Sequence, residues 1–188
     1  MQRAERRRHH RRLAIGWRRH AQPKGVPISS DDVPPGTGEI AGPGELIYEY
    51  KPRVVQVVEY GLSADAVLMR QLAPPAEGAR LDLYLEGPVV AGKLKGKVRA
   101  VDYLNFRADG RAELHIHGEI TTEDGKNVAL TAGGVAIPEG DSSIFQLREH
   151  VELVTNHPEL SWANSAEVWA RGNVDVATGE VHLKAYAV

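Results

Sequence analysis

The sequence predicts an all-β domain: a closed antiparallel β-barrel of about eight to ten strands, with at most one short helix. Three observations predict it. Apolar residues recur with period two, glycine turns separate the recurrences, and no long stretch carries the helical period needed to cover a parallel sheet. Closure into a barrel is favoured over an open sheet because so many antiparallel strands would otherwise leave exposed edges.

The first residues stand apart from this pattern. Residues 1–25 hold nine Lys or Arg against Glu5 alone, a net +8, so the formal −2 of the whole chain leaves −10 on the remainder. Like charge at this density resists compaction and predicts a disordered tail, although a basic run can also contact nucleic acid or an anionic surface. The apolar stretch Leu13-Ala14-Ile15-Gly16-Trp17 is too short for the core of a signal peptide or a membrane span. From Gln22 to Gly44 the chain is rich in Pro, Gly, Ser and Asp, the composition of a linker. Residues 1–44 are therefore assigned to tail and linker, and 45–188 to the barrel.

Within the barrel segment, Ser63 to Leu72 is the single helical candidate, with Ser63 as cap and Val67, Leu68 and Leu72 on one face. Leu81, Leu83 and Leu85 then alternate with polar residues, as do Leu94 and Val98, and Leu114, Ile116 and Ile120. Successive strand side chains point to opposite faces, so each run has an apolar and a polar side. Asp109-Gly110, Asp124-Gly125 and Thr178-Gly179 supply tight turns. They predict hairpins joining 101–107 to 111–122, that strand to 126–132, and 165–176 to 180–188.

Composition bounds the function. Hydrophobic residues make up 42% and charged residues 26%, an ordinary globular balance that predicts solubility. The absence of cysteine excludes disulfides, thiol nucleophiles and thiolate metal sites, and suits a cytoplasmic location. The acidic body argues against nucleic acid as its partner, and no membrane partner is expected. No nucleophile elbow, phosphate loop or dinucleotide fingerprint occurs, so covalent catalysis is disfavoured and no cofactor is expected.

Four ordered stretches carry a resemblance. They are Gly92-Lys93-Leu94-Lys95-Gly96-Lys97-Val98 leading to Val101-Asp102-Tyr103; Arg107-Ala108-Asp109-Gly110-Arg111-Ala112-Glu113-Leu114; Thr121-Thr122-Glu123-Asp124-Gly125; and Trp162-Ala163-Asn164 with the terminal Ala185-Tyr186-Ala187-Val188. Together they resemble the barrels of the domain of unknown function 3237 family. The resemblance covers roughly residues 80–188 and implies a lipocalin-like or calycin-like barrel without naming an activity. This chain carries His115 and His117 where members often carry an acidic and a basic residue, so the resemblance assigns those two no role.

Read directly, His115, His117 and Glu119 fall at alternate positions of one strand and share a face. Two imidazoles and a carboxylate in a row suit acid and base catalysis near neutral pH, with Glu119 orienting an imidazole; the same row is also that of a solvent-washed outer strand. No metal is expected, because His150, Glu152, His157 and His182 are further ligand types whose convergence the sequence does not establish. Tyr103, Trp162, Asn164 and Tyr186 form the candidate ligand-binding set: rings with polar tips and an amide both stack on and orient a small oxygenated molecule, and equally fill a core. Lys93, Lys95, Lys97 and Arg99 read as a solvated face.

The leading expectation is a small-molecule-binding barrel whose partner is a compact hydrophobic or aromatic oxygenated ligand, such as an aromatic, polyketide or terpenoid-like compound. An alternative is a cofactor-independent isomerase, hydratase or lyase using His115 or His117 as the proton carrier. A further alternative is a structural or partner-binding barrel with a filled interior, and a homo-oligomer is left open.

Overall fold

The computed structural model describes residues 44–188; the expectations for the basic tail and most of the linker fall outside that range. The strands are β1 (Leu46–Tyr50), β2 (Arg53–Glu59), β3 (Ala79–Ala91), β4 (Gly96–Phe106), β5 (Ala112–Thr122), β6 (Asn127–Pro138), β7 (Ile144–Val154), β8 (Val168–Asp175) and β9 (Glu180–Ala187). From β3 to β9 each strand pairs antiparallel with the next, and β1 closes the wall between β9 and β3. Eight strands thus close the barrel, and β2 runs on along β3 as an outer strand. The break between β1 and β2 lies at Lys51 and Pro52, where proline has no amide to give to a ladder.

Hairpins form at the three predicted turns, with Gly110, Gly125 and Gly179 in the left-handed region. The period-two runs send their apolar sides inward. Leu81, Leu114, Ile116 and Ile120 are buried, as are Phe145, Leu147, Val151 and Leu153 along β7. Lys97, Arg99 and His115 on the intervening positions are exposed. Among the described residues, no helix is long and apolar enough to cross a membrane.

The helical expectation needs two corrections. Helix α1 spans only Ala64–Leu68, because Arg70 adopts φ 56° and the amides of Gln71 and Leu72 turn back to the Ala66 carbonyl, ending the helix early. A second helix, the 3-10 segment Pro158–Ser165, joins β7 to β8. It escapes sequence reading because so short a 3-10 turn has no apolar stripe, and only Pro158 at its start marks it.

Alternate connections share an end of an antiparallel barrel. The β4–β5, β6–β7 and β8–β9 turns therefore surround one mouth together with α1, while the 3-10 helix lies at the opposite end. Arg70 ties α1 to the rim: its guanidinium donates to the carbonyls of Gly140 and Ser142 and stands 5.9 Å from the centroid of the Phe145 ring.

Closing eight strands on a small radius forces neighbouring backbones together at inward glycines. A Cβ on Gly134 would lie 1.9 Å from the Arg148 carbonyl oxygen, a clash that only a backbone shift relieves. The change Gly134→Ala is expected to cost about 2–4 kcal/mol, lowering Tm by roughly 4–16 °C. Gly110 tests the alternative that conformation alone matters: its Cβ would meet nothing within 4 Å, yet its φ is +83°. Gly110→Ala should cost only about 1–2 kcal/mol in thermal melts.

Candidate functional site

A cavity of about 240 Å³ opens at the mouth. Its walls are the inward side chains of the strands, Leu83, Leu85, Leu104, Phe106, Leu114, Ile116, Phe145 and Leu147 among them, with Ala64, Asp65 and Leu68 contributed by α1. An apolar cavity of ~150 Å³ already holds benzene, so this one accommodates a substituted ring or a fused pair of rings. Against that lining stand two buried carboxyl groups, Asp102 and Glu149, and the Tyr50 ring.

Glu149 occupies the middle of the inward row of β7, between Leu147 and Val151, and is 1% exposed. Its cross-strand neighbours are Gly134 on β6 and Ala170 on β8, so no bulky side chain beside it crowds the carboxyl. Neither of its oxygens has a hydrogen-bond partner among the described residues. Burial pushes its pKa up to about 8, and the charge of Asp102 pushes the same way. Glu149 is accordingly a neutral carboxylic acid at pH 7, with an unpartnered O–H among the residues that line the cavity.

Asp102 lies in the inward row of β4, between Ala100 and Leu104, and is also buried. It is anchored. Its Oδ1 accepts the backbone N–H of His115 at 2.9 Å, and around it the β4–β5 ladder is interrupted between the pairs Asp102–Ile116 and Asn105–Glu113. Burial raises its pKa to about 7, against the opposing effects of the His115 amide and of the Arg80 charge. The amide contact favours its charged form, so Asp102 is the readier of the two carboxyls to ionise, Glu149 having no such contact among the described residues.

Two tyrosines adjoin this pair. Tyr48 and Tyr50 stack with ring centroids 5.4 Å apart, and the fully buried Tyr48 hydroxyl has no hydrogen-bond partner among the described residues. Burial, reinforced by the nearby carboxyl charge of Glu149, lifts the pKa of both phenols well above the usual range, so both remain protonated donors.

None of the seven residues singled out from the sequence lines this cavity. His115 and His117 are exposed on the outer wall, opposite in direction to Leu114 and Ile116, and Glu119 sits in the same outward row beside Arg99 of β4. Tyr103 is likewise outward, its ring 5.8 Å from that of His117 and beneath the Arg80 guanidinium at 4.8 Å. Tyr186 pairs across β8–β9 with the exposed Trp169. Trp162 and Asn164 belong to the 3-10 helix at the far end. The Trp162 ring carries Lys93 Nζ 4.1 Å from its centroid, and Asn164 accepts the Thr155 N–H at 2.7 Å and donates to the Thr155 carbonyl at 2.9 Å. Asn164 thereby fixes the end of β7.

The reason for the displacement is parity. Inward positions of β5 are those of Leu114 and Ile116, so the intervening histidines must face out. The further histidines pair locally, His150 with Glu167 at 3.3 Å and His182 with Glu49 at 2.7 Å. Among the described residues no three metal-ligating side chains converge.

The sequence does contain a signal for the two carboxyls. Phe145, Leu147, Glu149, Val151 and Leu153 form an apolar period-two row with one acid in it, and Val98, Ala100, Asp102, Leu104 and Phe106 form another. An acid placed on the core side of a strand is the anomaly that marks a site.

Comparison with known proteins extends the fold and leaves the chemistry open. No family model matches the chain, and no curated protein matches it. Among solved structures it is similar to a protein of unknown function from Clostridium acetobutylicum, at 19% identity and TM-score 0.61, covering 77% of this chain and 97% of that one. It is also similar to a β-barrel-like protein from Acinetobacter baumannii, at 18% identity and TM-score 0.58, covering 79% and 99%. An enzyme from Penicillium herquei matches at 18% identity and TM-score 0.51, covering 79% and 98%.

The raised pKa values predict how stability depends on pH. Between the ordinary carboxylate value of 4.5 and about 8, the folded chain keeps a proton on Glu149 that the unfolded chain has lost. Stability contributed by this group is complete below the lower limit and is lost as pH rises through the upper one; Asp102 acts in the same sense, up to about 7. Glu149→Gln, which copies the neutral acid in shape, should match wild type in Tm at pH 5 and exceed it by several degrees at pH 8.5. Equal melting temperatures at both pH values would show that Glu149 ionises freely.

Proposed function

We propose that the barrel binds one compact, largely apolar, oxygenated molecule and transfers a proton on it without a cofactor, as an isomerase, hydratase or lyase does. The observation that carries the reading is the pair of buried carboxyls facing an open apolar cavity. Burying an unpartnered carboxyl costs several kcal/mol even when it stays neutral, and a ligand oxygen accepting from Glu149 offsets that cost. The cavity also disfavours the reading of a structural barrel with a filled interior.

In this reading Glu149 donates its proton toward a ligand carbonyl oxygen and stabilises the charge that develops there, while the Asp102 carboxylate takes a proton from the adjoining carbon. The electrons of the broken C–H bond move into the carbon–carbon bond of an enol. Return of a proton to the same or another carbon completes an exchange or an isomerisation. The apolar walls strengthen both steps by excluding water. The acid and base of this scheme are Asp102 and Glu149, which take the place of the outward-facing His115 and His117. The barrel similarity to an enzyme supports a catalytic reading, and the ordered motifs support a kinship with the family of unknown function 3237.

A simple ketone tests the chemistry. With 2-acetylnaphthalene in D2O, wild type should catalyse deuterium incorporation into the methyl group, followed by proton NMR. Asp102→Asn should slow this by about 100-fold or more, and Glu149→Gln by about 10- to 100-fold. Binding of the ketone with no protein-dependent exchange would reduce the protein to a carrier.

A further inference from the structure

We propose that the cavity is a charge filter: it admits an uncharged carbonyl compound and rejects the carboxylate of the same shape. This rests on the reading of the cavity as a ligand site and narrows the substrate class to ketones, aldehydes and lactones, to the exclusion of organic acids and phosphate esters. The ionisable side chains that line the cavity are Asp65, Asp102 and Glu149, and among the described residues no Lys, Arg or His joins them. Basic groups stand nearby but are engaged elsewhere. Arg80 lies on the outer wall, bonded to Asp82 and set over the Tyr103 ring; Arg70 is tied to the Gly140 and Ser142 carbonyls at the rim.

An entering anion would thus lose its hydration, find no cation among the described residues, and face Asp102, which carries its own sign when ionised. A neutral carbonyl pays only the small desolvation cost of one oxygen and regains a hydrogen bond from the unpartnered Glu149. The walls add no counterweight, since the surrounding side chains are aliphatic or aromatic. The protein would therefore act after a step that delivers an uncharged carbonyl product, and a preceding oxidation to the acid would remove its substrate.

The test compares 2-acetylnaphthalene with 2-naphthoate, which differ by a methyl group in place of a carboxylate oxygen, by titration calorimetry at pH 7.5. Wild type should bind the ketone at least about 30-fold more tightly than the acid. In the variant Asp102→Asn, which removes an ionisable carboxyl and leaves the Glu149 donor in place, the ratio should fall at least about 3-fold through tighter binding of the acid. If that variant does not fold, Asp102→Ser, which keeps an oxygen near the His115 amide, should narrow the ratio in the same sense. Equal affinities in wild type, or an unchanged ratio in the folded variants, would overturn the charge filter while leaving the ligand site intact. Failure of both compounds to bind wild type would overturn the ligand site and the filter together.

Discussion

An eight-stranded wall closed on itself sends every second side chain into one confined space, and everything inside must tolerate the loss of water. Leucine, isoleucine, valine and phenylalanine do so with a gain in free energy. A carboxyl group does so only by keeping its proton or finding a partner. That constraint gives the barrel its two unlike surfaces: an outer wall where arginines, lysines and glutamates pair loosely, and an interior where Asp102 and Glu149 are exceptions.

The two acids meet the constraint differently. Asp102 borrows a backbone amide from the neighbouring strand and disturbs the sheet to do it. Glu149 has no such support and relies on staying neutral. Environments that separate two otherwise similar groups are how one protein obtains an acid and a base from the same functional group. The outer ion pairs, by contrast, are mostly half-exposed and contribute little to stability.

Much of the fold was legible because the β5 and β3 runs state their own parity and the three glycine turns state their own ends. The two interior carboxyls were not, and the cause is specific. His115 and His117 attracted attention by residue type, and their alternation with Leu114 and Ile116 left open both a pocket wall and a solvent-washed face, of which the structure shows the second. Placing Leu114 and Ile116 inside would have placed the histidines outside. Glu149 stood in the plainest apolar row of the chain, yet one acid among four hydrophobic residues is an ordinary composition unless the row is read by parity. Asn164 and Trp162 belong to a 3-10 turn, which no periodicity announces, and the early end of α1 depends on Arg70 adopting a conformation unusual for a side-chain-bearing residue. No local pattern encodes the closure that brings side chains of β4 and β7 to one cavity.

The amide that holds Asp102 belongs to His115, whose imidazole faces solvent. One residue therefore touches both compartments, with its backbone as the inner contact and its ring as the outer one. When the interior aspartate gains or loses its proton, the strength of that single N–H contact changes, and the change is felt at a position visible from outside. The resonance of one backbone proton in β5 thus serves as a built-in gauge of the ionisation state of a chamber that solvent dyes do not report.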